Sequence, residues 1–320
     1  MKKIQSKNIA QKHSLLFALT ILAVSMSTVT SLQVFAQADS PVTKINEAAA
    51  NADIKVERLR ENLNMLSGSG GNIIVFNGPE GKLLVDVGIA VSQTKIQAAL
   101  DGISPAPLKY VVNTHWHWDH SDGNVWAQKA GATIIAQENV LKRLSNTERV
   151  EDWNYTFQPV AAGGRPTVTF KTDKTLKFNG ETIVMKNFGI GHTDGDTSVY
   201  FKKADVLALG DIFWNGYYPF IDNAHGGGIN DTIRWVNEAL KRVGEKTLIV
   251  PGHGPIGNRA QLVEYRDMLV TVRDNVARLK KQGKSLEEVI ATKPSAVYDA
   301  KWGGFLIDPA FFTRLVYAGL

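Results

Sequence analysis

The sequence predicts an α/β layered domain, and three observations point there. Apolar β-branched runs alternate with helically spaced segments from about residue 40 onward. These runs fall into two strand-rich halves, each followed by helices. No repeat, low-complexity tract or linker interrupts them, which favours one domain. Two sheets packed face to face with helices outside is the arrangement this order suggests. With 320 residues, 44% hydrophobic and 21% charged, the chain can bury a large core. That composition excludes a disordered, collagenous or disulfide-stapled protein.

Element by element, Asn72 to Phe76 and Lys82 to Val87 read as strands flanking Asn77-Gly78-Pro79-Glu80-Gly81, a hairpin. Gly68-Ser69-Gly70-Gly71 precedes a strand rather than a helix N-terminus, so it reads as a turn and not as a phosphate cradle. Val91 to Leu100 has helical spacing, and Tyr110 to Asn113 is a short apolar strand. A helix near Asn124 to Ala130, a strand at Thr133 to Ala136 and a helix at Glu138 to Leu144 follow. The second half predicts strands at Thr182 to Asn187, Ser198 to Phe201 and Val206 to Leu209. It continues with a helix at Thr232 to Val243, a strand at Thr247 to Val250 and a long helix from Arg259 to Lys281. Helical pieces at Leu286 to Ala291 and Pro309 to Tyr317 close the chain.

Residues 1–38 read as a secretory signal peptide ahead of a domain at 39–320. Lys2, Lys3, Lys7 and Lys12 precede an apolar run from Leu15 to Val24, and a polar stretch ends in Val-Phe-Ala-Gln-Ala. The run is shorter than the roughly 20 residues a spanning helix needs. Ala36 and Ala38 offer cleavage points, and no stable membrane insertion is expected after cleavage. The expected destination is the periplasm or the outside of the cell. The formal net charge of +5 owes four units to the leader lysines; without them 32 basic residues face 31 acidic ones. No basic surface for nucleic acid follows. The chain has no cysteine, which excludes a lipid-anchored lipoprotein, thiolate catalysis and sulfur-ligated zinc. Any metal must sit on nitrogen and oxygen.

Thr114-His115-Trp116-His117-Trp118-Asp119-His120 places three imidazoles and a carboxylate in a strand-to-helix loop. Packed this closely they are hard to satisfy as core residues, and a cation resolves the conflict. Three further residues stand at strand ends beside glycine: His192 in Gly189-Ile190-Gly191-His192-Thr193, Asp211 in Leu209-Gly210-Asp211, and His253 in Pro251-Gly252-His253-Gly254. Together they make a candidate two-metal site.

This ordered set, His115-x-His117-x-Asp119-His120 followed by His192, Asp211 and His253, resembles the metallo-β-lactamase superfamily over about Gly71 to Pro255. The resemblance implies an αβ/βα four-layer sandwich with metals in the cleft between sheet edges. It implies a first metal on His115, His117 and His192, a second on Asp119, His120 and His253, and Asp211 bridging them. An aspartate at the bridging position is similar to the glyoxalase II, lactonase and phosphodiesterase branches; true β-lactamases usually carry cysteine or a small residue there. Histidine at 117, where flavodiiron oxidoreductases carry glutamate, favours hydrolysis. Asp196 stands where the glyoxalase-like branch has a further histidine.

Two divalent ions, with zinc the expected metal, would share a hydroxide that Asp119 orients as the catalytic carboxylate. Trp214, Tyr217 and Tyr218 are candidates for substrate contact. Trp116 and Trp118 are expected to pack beneath the loop, and His225 is expected at the surface. The implied activity is hydrolysis of a small molecule: a carboxylic ester, lactone, thioester or cyclic amide, β-lactams included. Alternatives are a mononuclear-iron, persulfide dioxygenase-like oxidoreductase and a phosphodiesterase. The oligomeric state is not legible.

Overall fold

Strands buried on both faces need apolar side chains in both directions, and that requirement shapes the centre of this protein. The structure, a computed structural model, describes residues 40–320. The signal peptide expected at residues 1–38, with its candidate cleavage points at Ala36 and Ala38, falls outside the described residues. The first half runs α1 (Pro41–Asn51), β1 (Lys55–Arg60), β2 (Leu63–Ser67), β3 (Ile73–Gly78), β4 (Gly81–Val85), α2 (Gln93–Ile103), β5 (Leu108–Val112), α3 (Trp118–Ser121) and α4 (Asn124–Lys129). It continues with β6 (Thr133–Gln137), α5 (Glu138–Leu144), β7 (Glu148–Val150), β8 (Tyr155–Phe157) and β9 (Val168–Phe170). The second half holds β10 (Asp173–Phe178), β11 (Glu181–Lys186), β12 (Ser198–Phe201), β13 (Val206–Trp214), α6 (Ile229–Leu240) and β14 (Leu248–His253). Four helices end it: α7 (Arg259–Lys281), α8 (Leu286–Ala291), α9 (Ala296–Trp302) and α10 (Pro309–Ala318).

Seven strands form one sheet in the order β1-β2-β3-β4-β5-β6-β9, and five form the other in the order β10-β11-β12-β13-β14. The predicted hairpin is β3 and β4, paired antiparallel. The two sheets face each other. Ile74, Phe76, Val85 and Val112 of the first meet Ile183, Met185, Val199, Phe201 and Val250 of the second. The alternate residues of β3, Ile73 and Val75, point outward against Ile96 and Leu100 of α2 and Trp126 of α4. Leu207, Leu209 and Ile249 likewise pack outward on α6 and α7, beneath Trp235, Val236, Tyr265 and Met268. The result is the four-layer αβ/βα sandwich. α7 is started by a reciprocal cap between Asn258 and Gln261.

The structure departs from the expectations in two informative places. β13 runs five residues past Leu209, because Ile212, Phe213 and Trp214 are buried and parallel β14 continues beside them to His253. Asp211 and His253 therefore sit inside paired strands, not in loops after them. The second departure is a set of unpredicted elements: α1, α9, and strands such as β1, whose Lys55–Arg60 run is largely exposed and lacks apolar alternation.

A candidate two-cation centre between the sheets

The loop after β5 with α3, the loop before β12, the second half of β13 and the end of β14 deliver seven side chains to one point. Nε2 of His115 and Nε2 of His192 lie 3.1 and 3.0 Å from Nδ1 of His117. Asp211 Oδ2 stands 3.8 and 3.6 Å from the first two of these nitrogens. The other Asp211 oxygen, Oδ1, faces a second group, 3.0 Å from His120 Nε2 and 3.4 Å from His253 Nε2. Asp119 Oδ2 completes that group at 3.3 Å from His253 Nε2 and 3.6 Å from His120 Nε2. One carboxylate thus turns an oxygen to each of two potential metal-holding sets.

Four of the five histidines are fixed from behind. His117 Nε2 meets Asp222 Oδ2 at 2.9 Å, His120 Nδ1 meets Asp86 Oδ2 at 2.8 Å, and His192 Nδ1 donates to the Phe220 carbonyl at 2.9 Å. The Thr114 hydroxyl donates to Asp86 at 2.6 Å, so it accepts from His115 Nδ1 at 3.0 Å. A neutral imidazole whose outer nitrogen donates has only a lone pair on its inner one. Lone pairs facing one another at 3.0–3.1 Å repel. Asp211 Oδ1 is buried without an aligned donor. Both observations fit cations held between these atoms, and the nitrogen-and-carboxylate donor set suits zinc and its neighbours.

The electrostatics agree. Burial pushes Asp211 up, but the charges of His120, His253 and His115 outweigh it and hold the carboxyl well below the usual range. Burial opposes protonation of His253, yet Asp211 and Asp119 push it up to about 9. His120 is raised well above the ordinary imidazole value against the same burial, first by Asp211 and then by Asp119 and Asp86. Burial takes His192 down to about 4. Without a metal, protons on His120 and His253 supply the positive charge the carboxylates demand.

Glycine is required where backbone touches these ligands. A Cβ on Gly71 would run into the His120 ring, and one on Gly252 would run into Asp211 Oδ1. The Gly68–Gly71 turn is thus part of the wall of the centre. Asp196 accepts from the amide and hydroxyl of Thr193, both at 2.9 Å, and so pins the loop that carries His192.

A cavity of about 580 Å³ opens over Asp119, Asp211, His253 and His117. Trp214 lines it, its ring 4.2 Å from that of His253. Tyr218 does not: it is fully buried, and its hydroxyl donates to Asp299 at 2.8 Å, which turns it into the α9–α10 packing. Tyr217 is also outside the lining and rests against Phe305, 4.5 Å between ring centroids. Trp116 is buried beneath the ligand loop as expected, whereas Trp118 lines the cavity and donates to Asn46 at 2.9 Å. His225 is buried, not at the surface, because Asp222 and Glu148 both hold its ring.

Sequence reasoning missed Asp86 and Asp222. Asp86 takes a φ of 60°, unusual for a residue with a Cβ, and accepts from Thr114 N, Thr114 Oγ1 and His120. Its signal was available: Leu84-Val85-Asp86 ends an apolar strand with a carboxylate, just as Asp211 follows Leu209 and Gly210. Asp222 lies in a turn with no such mark.

A family model described as the metallo-beta-lactamase superfamily matches residues 66–253. A type 2 metallo-beta-lactamase of Bacillus cereus is 26% identical over 82% of this chain and 99% of that protein. A linear primary-alkylsulfatase of Pseudomonas sp. is 24% identical over 68% of this chain and 48% of that protein. Among solved structures, the inverting sec-alkylsulfatase Pisa1 from Pseudomonas sp. superposes with a TM-score of 0.63 at 15% identity, over 85% of this chain and 51% of its own. The chain spans about half the length of these alkylsulfatases.

Proposed function

The chain belongs to the metallo-beta-lactamase superfamily, a family of metal-dependent hydrolases acting on small molecules, and from that premise we propose that it is a dinuclear zinc enzyme hydrolysing a carboxylic ester, lactone, thioester or cyclic amide. The single observation that carries this reading is Asp211, whose two oxygens face two separate ligand sets. His115, His117 and His192 would hold one cation and Asp119, His120 and His253 the other, with Asp211 offering an oxygen to each set. When bound, such a pair supplies Lewis acidity and makes a water molecule acidic enough to attack at neutral pH.

The chain's own residues do the rest. Asp119, at the cavity floor, accepts a hydrogen bond from the attacking water and fixes its direction toward the substrate carbonyl. Asp222, Asp86, Thr114 and the Phe220 carbonyl keep the histidine lone pairs aimed inward. Trp118, Trp153, Trp214 and Phe220 exclude bulk water around the reacting group. In the net reaction the acyl carbon keeps the water oxygen, its bond to the leaving oxygen, sulfur or nitrogen breaks, and a water proton goes to that leaving atom.

We further propose that residues 1–38 export the enzyme to the periplasm or beyond. Sulfate ester hydrolysis is a second reading, favoured by the alkylsulfatase relatives. The deciding experiment is metal quantification on protein lacking residues 1–38, joined to turnover of ester, lactone, thioester, cephalosporin and alkyl sulfate panels. Two zinc per chain and EDTA-sensitive acyl hydrolysis are expected. One iron per chain would point to a dioxygenase, and turnover of phosphodiesters alone to a phosphodiesterase.

A further inference from the structure

The cavity has one chemical character away from its floor. Its charged lining groups are all candidate metal ligands: His117, Asp119, Asp211 and His253. Among the described residues no lysine or arginine lines it, and neither does any serine, threonine, asparagine or glutamine. One wall is Trp118, Trp153 and Phe220, with Trp153 and Phe220 rings 4.8 Å apart. A second aromatic group in the lining is Trp214 with Phe305, ring centroids 6.3 Å apart, and Phe305 is half exposed.

The roof is α1, which contributes Ile45 and the small side chains of Ala48 and Ala49, with Ala52 just past its end. This helix is tied down: Ser92 Oγ donates to the Ala49 carbonyl at 3.1 Å, and Trp118 donates to Asn46. Lys95 spends its ammonium on the carbonyls of Ala50 and Ala52, at 2.8 and 2.7 Å, and so is engaged outside the cavity. A substrate carrying a second charge remote from its scissile bond would lose its hydration here and meet no partner. An alkyl or flat apolar arm would lose nothing and bury its surface.

We infer that this cavity takes an uncharged carboxylic ester or lactone whose apolar arm lies between α1 and the Gly304–Leu306 segment. The inference rests on the acyl-hydrolase reading for the reacting end, and on the cavity lining alone for the arm. Hydrolysis leaves the new carboxylic acid with the water oxygen and returns the alcohol, so no co-reactant is needed.

Two measurements test it. In the metal-loaded enzyme, kcat/KM for p-nitrophenyl esters from acetate to octanoate should rise by about threefold per methylene until the cavity is filled. Adding a terminal carboxylate to a chain of equal length should cost at least tenfold. Ala48→Trp, at an exposed helical position, should lower the octanoate-to-acetate ratio at least tenfold, and Phe305→Ala should flatten the series. The second measurement needs no turnover: quenching of tryptophan fluorescence by 2-nonanone and 2-undecanone in metal-free protein. Saturable quenching that tightens with chain length, and weakens in Ala48→Trp, is expected. Quenching that is independent of chain length, or equal turnover and binding of the carboxylated analogues, overturns the inference. If neutral ketones bind with the expected dependence and no acyl substrate is cleaved by metal-loaded protein, the arm assignment stands and the acyl-hydrolase reading falls. Faster turnover of octyl sulfate than of the octanoate ester overturns the ester assignment.

Discussion

The two ligand sets that share Asp211 are built differently. The set of His115, His117 and His192 is the more sealed: all three are buried, only His117 reaches the cavity, and each outer nitrogen is anchored by Thr114, Asp222 or Phe220. In the set of Asp119, His120 and His253, Asp119 and His253 line the cavity, and only His120 is anchored from behind, by Asp86. Among the described residues no side chain holds the outer nitrogen of His253, whose ring is backed by Trp214 instead. The lesson is that a shared carboxylate does not make the two positions equal. Outer partners set how well a ligand is aimed, so the sealed position should bind its cation more tightly and exchange it more slowly.

The strongest way to break this contrast is to remove what the sets share. Asp211→Ala should bring metal content below one equivalent, measured by elemental analysis after dialysis, and lower turnover by at least about 10³-fold, the scale for losing one member of an interdependent set. Retention of two equivalents would show that the sets stand independently. A finer cut separates them: Asp222→Asn should weaken the sealed position by about 10–100-fold in competitive chelator titrations and leave the open one nearly unchanged. Asp86→Asn should weaken both, because Asp86 holds His120 directly and His115 through Thr114.

The smallest effect belongs to pH. In metal-free protein His253 is raised to about 9, above its unfolded value of about 6.5. A raised imidazole contributes its stabilisation in full below about 6.5 and loses it as the pH climbs through 9. Melting temperature of EDTA-treated protein should therefore fall by several degrees between pH 6.5 and 9, the response of a domain this size to a loss on the order of 3 kcal/mol. The zinc-loaded protein, its imidazoles held neutral by metal, should not show that fall.

Much of the layered fold was readable, because β3, β4, β6 and α7 carry unambiguous periodicity or apolar runs of the right length. The candidate ligands were readable because histidines and aspartates beside glycine at the ends of apolar runs are hard to place otherwise. What stayed hidden depends on tertiary contact. α1 has a Ser40-Pro41 start and an alanine-rich body, but only its packing over Trp118 gives it a role as a roof. Tyr218 and Trp118 exchanged roles relative to expectation, since nothing local tells an aromatic aimed at a cavity from one aimed at a helix. The three-residue strands β7, β8 and β9 are shorter than any periodicity can register.

The placement of Asp211 within β13 has a kinetic consequence. Val206 is registered against Leu248 and Trp214 against His253 by parallel pairing across the α6 crossover, a contact that joins distant parts of the chain. Long-range parallel pairing forms late, after loop-closure entropy has been overcome. A nascent or refolding chain that has built only its first sheet therefore owns His115, His117, Asp119 and His120 but lacks the hinge between them and their distant companions. In the proposed two-cation enzyme, capture of the cations would mark the last stage of assembly, and an export route that passes the chain unfolded would leave loading to the compartment where it refolds.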